Sequence, residues 1–367
     1  MNPLNEEVSR KLELIRNALT ETGATGVRLK GTDWFAWATA GASNTVLLTA
    51  ETGVAEVLVT LRDAWVLTDE IEAQRLEDEE LSADFKLHVS PWADAAARES
   101  FMREVTNEGK VISDRPIPHI EKRLPASLQQ HKRVMMSSEL ERYREVGRKA
   151  SEAMTEVLSK AQPTWTEYQL AGAGAEALWA RGLHPAVTLV AGERRLPLYR
   201  HATATGEVIG RVAMMVFCAR GYGLFANLTR FVSFGSLGDE QTQLHSHVRE
   251  IESQVLNLCK PGTSLDAVYH ALNQAYEQHG FPHAIQEHHQ GGTTGYLARE
   301  IVATPTTTDS LVEGIPMAWN PSLPGAKVED TFVILQDGTL ENLTFDPNWP
   351  GIEVEGRLRP VPLEVGS

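Results

Sequence analysis

The chain has 367 residues, and its 34 Lys and Arg against 49 Asp and Glu give a formal net charge of −15 at pH 7. That surplus of acid argues against a phosphate backbone or an anionic membrane surface, so neither nucleic acid nor a membrane is an expected partner. With 42% hydrophobic and 23% charged residues, the composition is that of a globular chain long enough for two domains with separate cores.

The opening residues carry acid where a signal peptide needs a basic stretch and an apolar core, and no apolar run approaches membrane-spanning length; a cytoplasmic location is expected. Apolar residues at helical spacing (Val8, Leu12, Leu14, Ile15, Leu19) predict a helix over 6–20. Strands are predicted at 27–30, 45–50, 55–60 and 64–68, the alternation of an open α/β sheet. The Trp34 to Trp37 cluster reads as core or subunit interface. Pro116, Pro118 and Pro125 mark the exit of this first domain, 1–135. Ser138 with Glu141 reads as a capping box opening a helix to about Ala161 and a second domain, 136–367.

The second domain contains an internal echo. Pro163 to Gly182 and Pro261 to Gly280 each frame a capped helix, each follows a long amphipathic helix (139–161 and 239–258), and each precedes strand-like sequence with a histidine. A helix, helix, strand unit used twice implies a pseudo-twofold domain with a site between its halves. Cys218 and Cys259 stand in apolar surroundings without CxxC spacing and read as buried free thiols.

From Ser138 onward the order of motifs resembles the pita-bread fold of creatinase, prolidase, aminopeptidase P and methionine aminopeptidase. The resemblance rests on Arg200-His201 before Gly210, Asn227-Leu228-Thr229-Arg230 before Gly235, His288-His289-Gln290-Gly291, Asn320-Pro321, and Lys327-Val328-Glu329-Asp330-Thr331 leading to a hairpin at Gly338. The first domain is similar to the creatinase-type N-terminal domain in layout only, with Trp34 to Gly41 where that family has an aromatic-rich strand and a Gly turn. The fold class implied is α/β and α+β, a creatinase-type α/β domain followed by a pseudo-twofold pita-bread domain.

The metallopeptidases of that family hold two divalent ions with Asp, Asp, His, Glu and Glu. By the resemblance, the second Asp is here Asn227, and the first falls near Val216 to Cys218, in a stretch from Val208 to Gly238 without any acidic residue. His288 keeps the histidine, Asn320 replaces the first Glu, and Glu329 alone survives among the carboxylates. Two +2 ions about 4 Å apart repel by roughly 16 kcal/mol at an effective dielectric of 20, and one carboxylate cannot offset that. No metal or cofactor is therefore implied.

Creatinase itself lacks the metals and hydrolyses a C–N bond with a histidine at the position matching His201, and Tyr296-Leu297-Ala298-Arg299-Glu300 also resembles creatinase. The resemblance thus implies a metal-independent hydrolase of a C–N bond in a small polar substrate. His201, His288 and Glu329 are the expected catalytic groups, with Glu329 orienting a histidine or binding a cationic group. Asn227, Asn320, His289 and Arg299 are expected to bind a small-molecule or short-peptide substrate, although Arg299 and Glu300 also read as a local salt bridge. The alternatives are a non-catalytic pseudoenzyme that binds a ligand in the same pocket and a weak Xaa-Pro dipeptidase or aminopeptidase. Family members of this layout pair so that one chain's N-terminal domain caps the other's pocket, which implies a homodimer.

Overall fold

A computed structural model describes residues 3–366 of the chain, which divides into two units, one up to Glu139 and one from Leu140. The first unit runs α1 (Pro3–Thr22), β1 (Gly26–Gly31), α2 (Thr32–Ala38), β2 (Thr52–Val59), β3 (Ala64–Asp69), α3 (Ala73–Glu79), β4 (Lys86–Ser90), α4 (Ala95–Val105), β5 (Val111–Ser113), β6 (Lys122–Arg123) and α5 (Ala126–Arg133). Its six strands form one mixed sheet in the order β4-β3-β2-β1-β5-β6, with β3-β2 and β2-β1 antiparallel and the other three pairs parallel.

Three local expectations are corrected here. The run at 45–50 is a loop, with Val46 and Leu47 60% and 65% exposed. The amide of Asn44 donates to the Ala55 carbonyl (2.6 Å) and the Val54 N–H to the Asn44 carbonyl (2.9 Å), so 45–50 bulges out between these ties before β2 begins. Trp34 to Trp37 lie in α2 rather than in a strand, fully packed, with the two indoles edge to face at 5.4 Å. Ser138 does not cap a helix, because α6 (Ser137–Lys160) starts before it and its hydroxyl donates to Glu7. Glu139 instead accepts the Met136 N–H (2.8 Å), one half of a capping arrangement.

The second unit builds the internal echo. In its first half, α6 and α7 (Glu167–Trp179) precede β7 (His184–Gly192), β8 (Val212–Gly221) and β9 (Leu224–Phe234). In its second half, α8 (Asp239–Leu256) and α9 (Leu265–Gln278) precede β10 (Gly291–Thr293), β11 (Ile301–Val302), β12 (Pro316–Trp319), β13 (Ser322–Leu323), β14 (Ala326–Lys327), β15 (Asp330–Ile334) and β16 (Leu340–Asn342). The strands β17 (Gly351–Val354), β18 (Arg357–Pro360) and β19 (Leu363–Val365) follow. The two main sheets have the orders β19-β9-β8-β7 and β11-β10-β12-β15-β16. The starts of α7 and α9 are tied alike, by the bridges Thr166 to Val208 and Ser264 to Ser310, and Gly182 and Gly280 end both with positive φ. A full capping box, Thr166 with Gln169, opens α7.

Strand parity sets the faces. Ala213, Met215, Phe217 and Ala219 of β8 pack with Ala226, Leu228 and Val232 of β9 against α6 and α7, each buried large side chain contributing about 1.5–3 kcal/mol. Cys218 and Asn227, opposite one another in the β8–β9 register, therefore belong to the other face. In the second half Met317, Trp319, Phe332 and Ile334 face α8 and α9, so Asn320 and Glu329 lie on the opposite parity, turned the same way as Asn227. The pair Thr229 to Glu329 bridges the two sheets, with the Thr229 N–H donating to the Glu329 carbonyl (3.0 Å).

Candidate active site

His201 lies in the loop after β7, and one buried carboxylate holds both ends of that loop. Glu167 accepts the Gly192 N–H (2.9 Å), the Thr205 N–H (2.9 Å) and the Thr205 hydroxyl (2.7 Å), and pairs with Arg195. Arg200, beside His201, pairs with Glu287, beside His288, joining the two histidine segments. Gln290 fixes the second segment from behind: its amide donates to the His288 carbonyl (2.6 Å) and its oxygen accepts from the Tyr276 hydroxyl (2.9 Å). The backbone then passes so close to its neighbours that a Cβ on Gly291 or Gly292 would fall 2.1 Å from the Ala318 oxygen or 2.0 Å from the Ile301 oxygen.

The result is a histidine cluster in a cleft of about 870 Å³. His201 Nε2 and His288 Nε2 are 2.7 Å apart, so one donates and the other accepts. His289 stacks on His288 at 4.5 Å between ring centroids, and its ring lies 5.5 Å from that of His201. His288 is buried, while His201 and His289 are open to the cleft. Burial first, and Lys327 second, lower the His201 pKa; the same two causes push His288 down to about 2. Burial and then Arg299 push His289 down to about 4, so all three rings are neutral at pH 7.

Among the described residues, Glu329 makes no hydrogen bond to the three histidines, although its charge acts on each of them. It is 2% exposed and pairs with Arg299 (2.6 Å) and Lys327 (3.2 Å), while the Thr229 hydroxyl donates to it (3.0 Å). Burial raises its pKa, but the two cations more than offset this and hold it at about 2. In this arrangement the Glu329 carboxylate is shared by two protein cations, Arg299 and Lys327. Arg299 pairs with Glu329, and Arg299, Lys327 and Glu329 together carry a net charge of +1.

Asn227 and Asn320 are 0% and 2% exposed and, like Arg299 and Lys327, lie behind the residues that line the cleft. The Asn227 amide donates to the Thr294 hydroxyl (3.0 Å), and the side-chain oxygens of both asparagines are buried without a partner. Opposite Asn227 stands Cys218, whose thiol is pushed up to about 12, by burial first and Glu329 next, and so stays protonated. The sequence reading assigned no role to Lys327, Thr229 or Glu167. Lys327 was the findable one, since it lies two residues from Glu329 in an extended run and so shares its side.

The model of metallopeptidase family M24 matches residues 141–336, more than half of the chain. The chain belongs to metallopeptidase family M24. An uncharacterized peptidase of Staphylococcus aureus (strain MW2) is 24% identical over 123 residues, 31% of this chain and 34% of that protein, so the match spans about a third of the relative's length. The fold is also that of an Xaa-Pro dipeptidase from Bacillus anthracis, at 19% identity and a TM-score of 0.75 over 93% of this chain and 98% of that one. The N-terminal domain of the FACT complex subunit SPT16 from chickpea (Cicer arietinum) is similar at 14% identity and a TM-score of 0.71, over 93% of this chain and 96% of that one.

Within the M24 framework, this chain does not fit a pair of divalent ions. Cys218, Asn227 and Asn320 supply no charge, and the one carboxylate, Glu329, is taken by Arg299 and Lys327, which place protein cations where ionic charge would otherwise be required. The His201, His288 and His289 nitrogens lie within 4.8 Å of one another, a spacing that suits a single ion, against the repulsion of the same two cations. No helix among the described residues is long and apolar enough to cross a membrane.

Proposed function

We propose that this M24 member is a metal-independent hydrolase of a C–N bond in a small polar substrate, with its chemistry in the second domain, 136–367, and His201 as the proton carrier. The observation that carries this reading is the 2.7 Å contact between two neutral imidazoles, one open to the cleft and one buried behind it. In the tautomer where His201 Nε2–H donates to His288, His201 Nδ1 is a bare acceptor. It takes a proton from water as the new C–O bond forms and returns it to the leaving nitrogen as the C–N bond breaks. His288 orients His201, held by Gln290 and stacked on His289. Arg299 and Lys327 do not line the cleft, but their charge acts on its histidines and favours a substrate with a carboxylate. A cytoplasmic homodimer is part of the same reading, the pairing of chains supported by the family layout.

The test is turnover of a panel of creatine-like and Xaa-Pro compounds by wild-type and His201→Ala chains, each with and without a chelator. Loss of general acid–base assistance predicts a fall of about 10²–10⁴-fold in His201→Ala, with no effect of chelator. Unchanged turnover removes His201 from the reaction. Loss of activity to the chelator points instead to an Xaa-Pro peptidase using one ion, like the name of the Bacillus anthracis neighbour. A second reading, a binding protein without turnover, is favoured by the spent carboxylate at Glu329; a bound ligand with no hydrolysis of any panel member supports it.

A further inference from the structure

Away from the histidine cleft, the second unit contains a cavity of about 240 Å³ between the end of β9, the first turns of α8 and β19. Thr242, His245 and Arg249 reach it from one face of α8, as residues three and four apart on a helix do. Arg249 is 6% exposed, its Nε is buried with no hydrogen-bond partner, and among the described residues it makes no ion pair. Glu250 attracts it without forming an ion pair with it and Arg359 repels it, while the other acids there, Glu252 (2.5 Å) and Asp330 (2.9 Å), both pair with Arg359. A guanidinium does not deprotonate in a protein, so an enclosed one without a counter-charge is strongly unfavourable.

The rest of the lining is rich in donors. His245 is 4% exposed and packs edge to face on Phe231 at 4.6 Å; burial first, then Arg249, push its pKa down to about 3, so it presents a neutral ring with one N–H. The hydroxyls of Ser233 and Thr242 make no side-chain hydrogen bond among the described residues, whereas Ser236 donates to Glu364 (3.1 Å), an exposed residue of the same lining. We propose that this cavity binds a small oxyanion, of phosphate or carboxylate type, whose charge pairs with Arg249 and whose oxygens accept hydrogen bonds from His245, Ser233 and Thr242. A water occupies about 30 Å³ in the liquid, so an oxyanion of four or five heavy atoms fits with room for a short organic substituent. This site is independent of the proposed hydrolysis.

Thermal unfolding of the full-length chain at constant ionic strength, titrated with phosphate, sulfate, acetate or a phosphate monoester against chloride, tests the proposal. A saturable rise in Tm is expected with at least one of these oxyanions and not with chloride, because a ligand bound only by the folded state stabilises it by mass action. The anion that saturates at the lowest concentration separates the phosphate from the carboxylate class. Arg249→Met keeps the aliphatic stem, removes the charge and is expected to abolish the rise. Thr242→Val, a milder change, is expected to weaken binding by about threefold to tenfold through one lost hydrogen bond. His201→Ala, in the other cleft, should retain the full response. No saturable rise above chloride, or a response undiminished in both Arg249→Met and Thr242→Val, overturns the proposal.

Discussion

Arg28 in the first unit and Glu329 in the second are both buried charges, and they are neutralised in opposite ways. Arg28 receives three carboxylates, Glu56 (2.5 Å), Glu99 (2.5 Å) and Glu121 (3.1 Å), the last shared with Lys30 (2.8 Å). Glu329 is a single carboxylate between two cations. Around Arg28 the three carboxylates meet three cations, because Arg98 also pairs with Glu56 (3.5 Å), and Glu99, at 33% exposure, admits solvent screening. Around Glu329 the surplus is basic and enclosed, with Lys327 at 4% and Arg299 at 14%. The first cluster therefore works as a clip between strands and helices. The second leaves a net positive charge that adds to burial in keeping the neighbouring imidazoles neutral.

Removing one partner should separate the two clusters most sharply at Glu329. Glu329→Gln strands Arg299 and Lys327 without a counter-charge, and a loss of about 3–5 kcal/mol is expected in urea unfolding at pH 7. Because the folded pKa of Glu329 lies at about 2, below its ordinary value of 4.5, its contribution is present above 4.5 and is lost as pH falls toward 2. The wild-type advantage over the variant should narrow over that window. Glu56→Gln is expected to cost less, about 1–3 kcal/mol, since Arg28 keeps two carboxylates.

The histidines give the next effect. His288 has a folded pKa of about 2 against 6.5 in a free chain, so the unfolded state binds the extra proton between these values and stability falls as pH drops below 6.5. The slope from this one ring is about 1.4 kcal/mol per pH unit, and His288→Gln should remove it from a series of melts between pH 6.5 and 5. The smallest change expected is in Glu99→Gln, below about 1 kcal/mol, because that pair is partly in water. A loss at Glu99 as large as that at Glu329 would erase the distinction between the clusters.

What the sequence revealed was local, and what it hid was long-range. The paired helices were legible because Pro, Gly and polar residues act over one turn; the starts of α7 and α9 are tied alike, although Thr166 caps α7 while Ser264 makes no side-chain cap bond at α9. The histidines and the missing acids were legible from motif order. The neutralisation of Glu329 was not, since Arg299 arrives from 30 residues earlier in the chain and Lys327 looks like an ordinary strand charge. The 45–50 run misled because its apolar side chains suggested a buried strand, while the ties at Asn44 that bulge it outward are tertiary. Ser138 misled for the same reason: its partner is Glu7, far away in sequence.

The hold of Glu167 on both ends of the His201 segment has a consequence for redesign. Gly192 and Thr205 are anchored to the same side chain, so the residues between them form a closed circuit whose rim, Pro197 to Tyr199, can be lengthened or exchanged while its foundations stay put. Retuning which molecules enter the cleft is thus a matter of rewriting a few rim positions. Altering Glu167 would instead release the whole circuit at once.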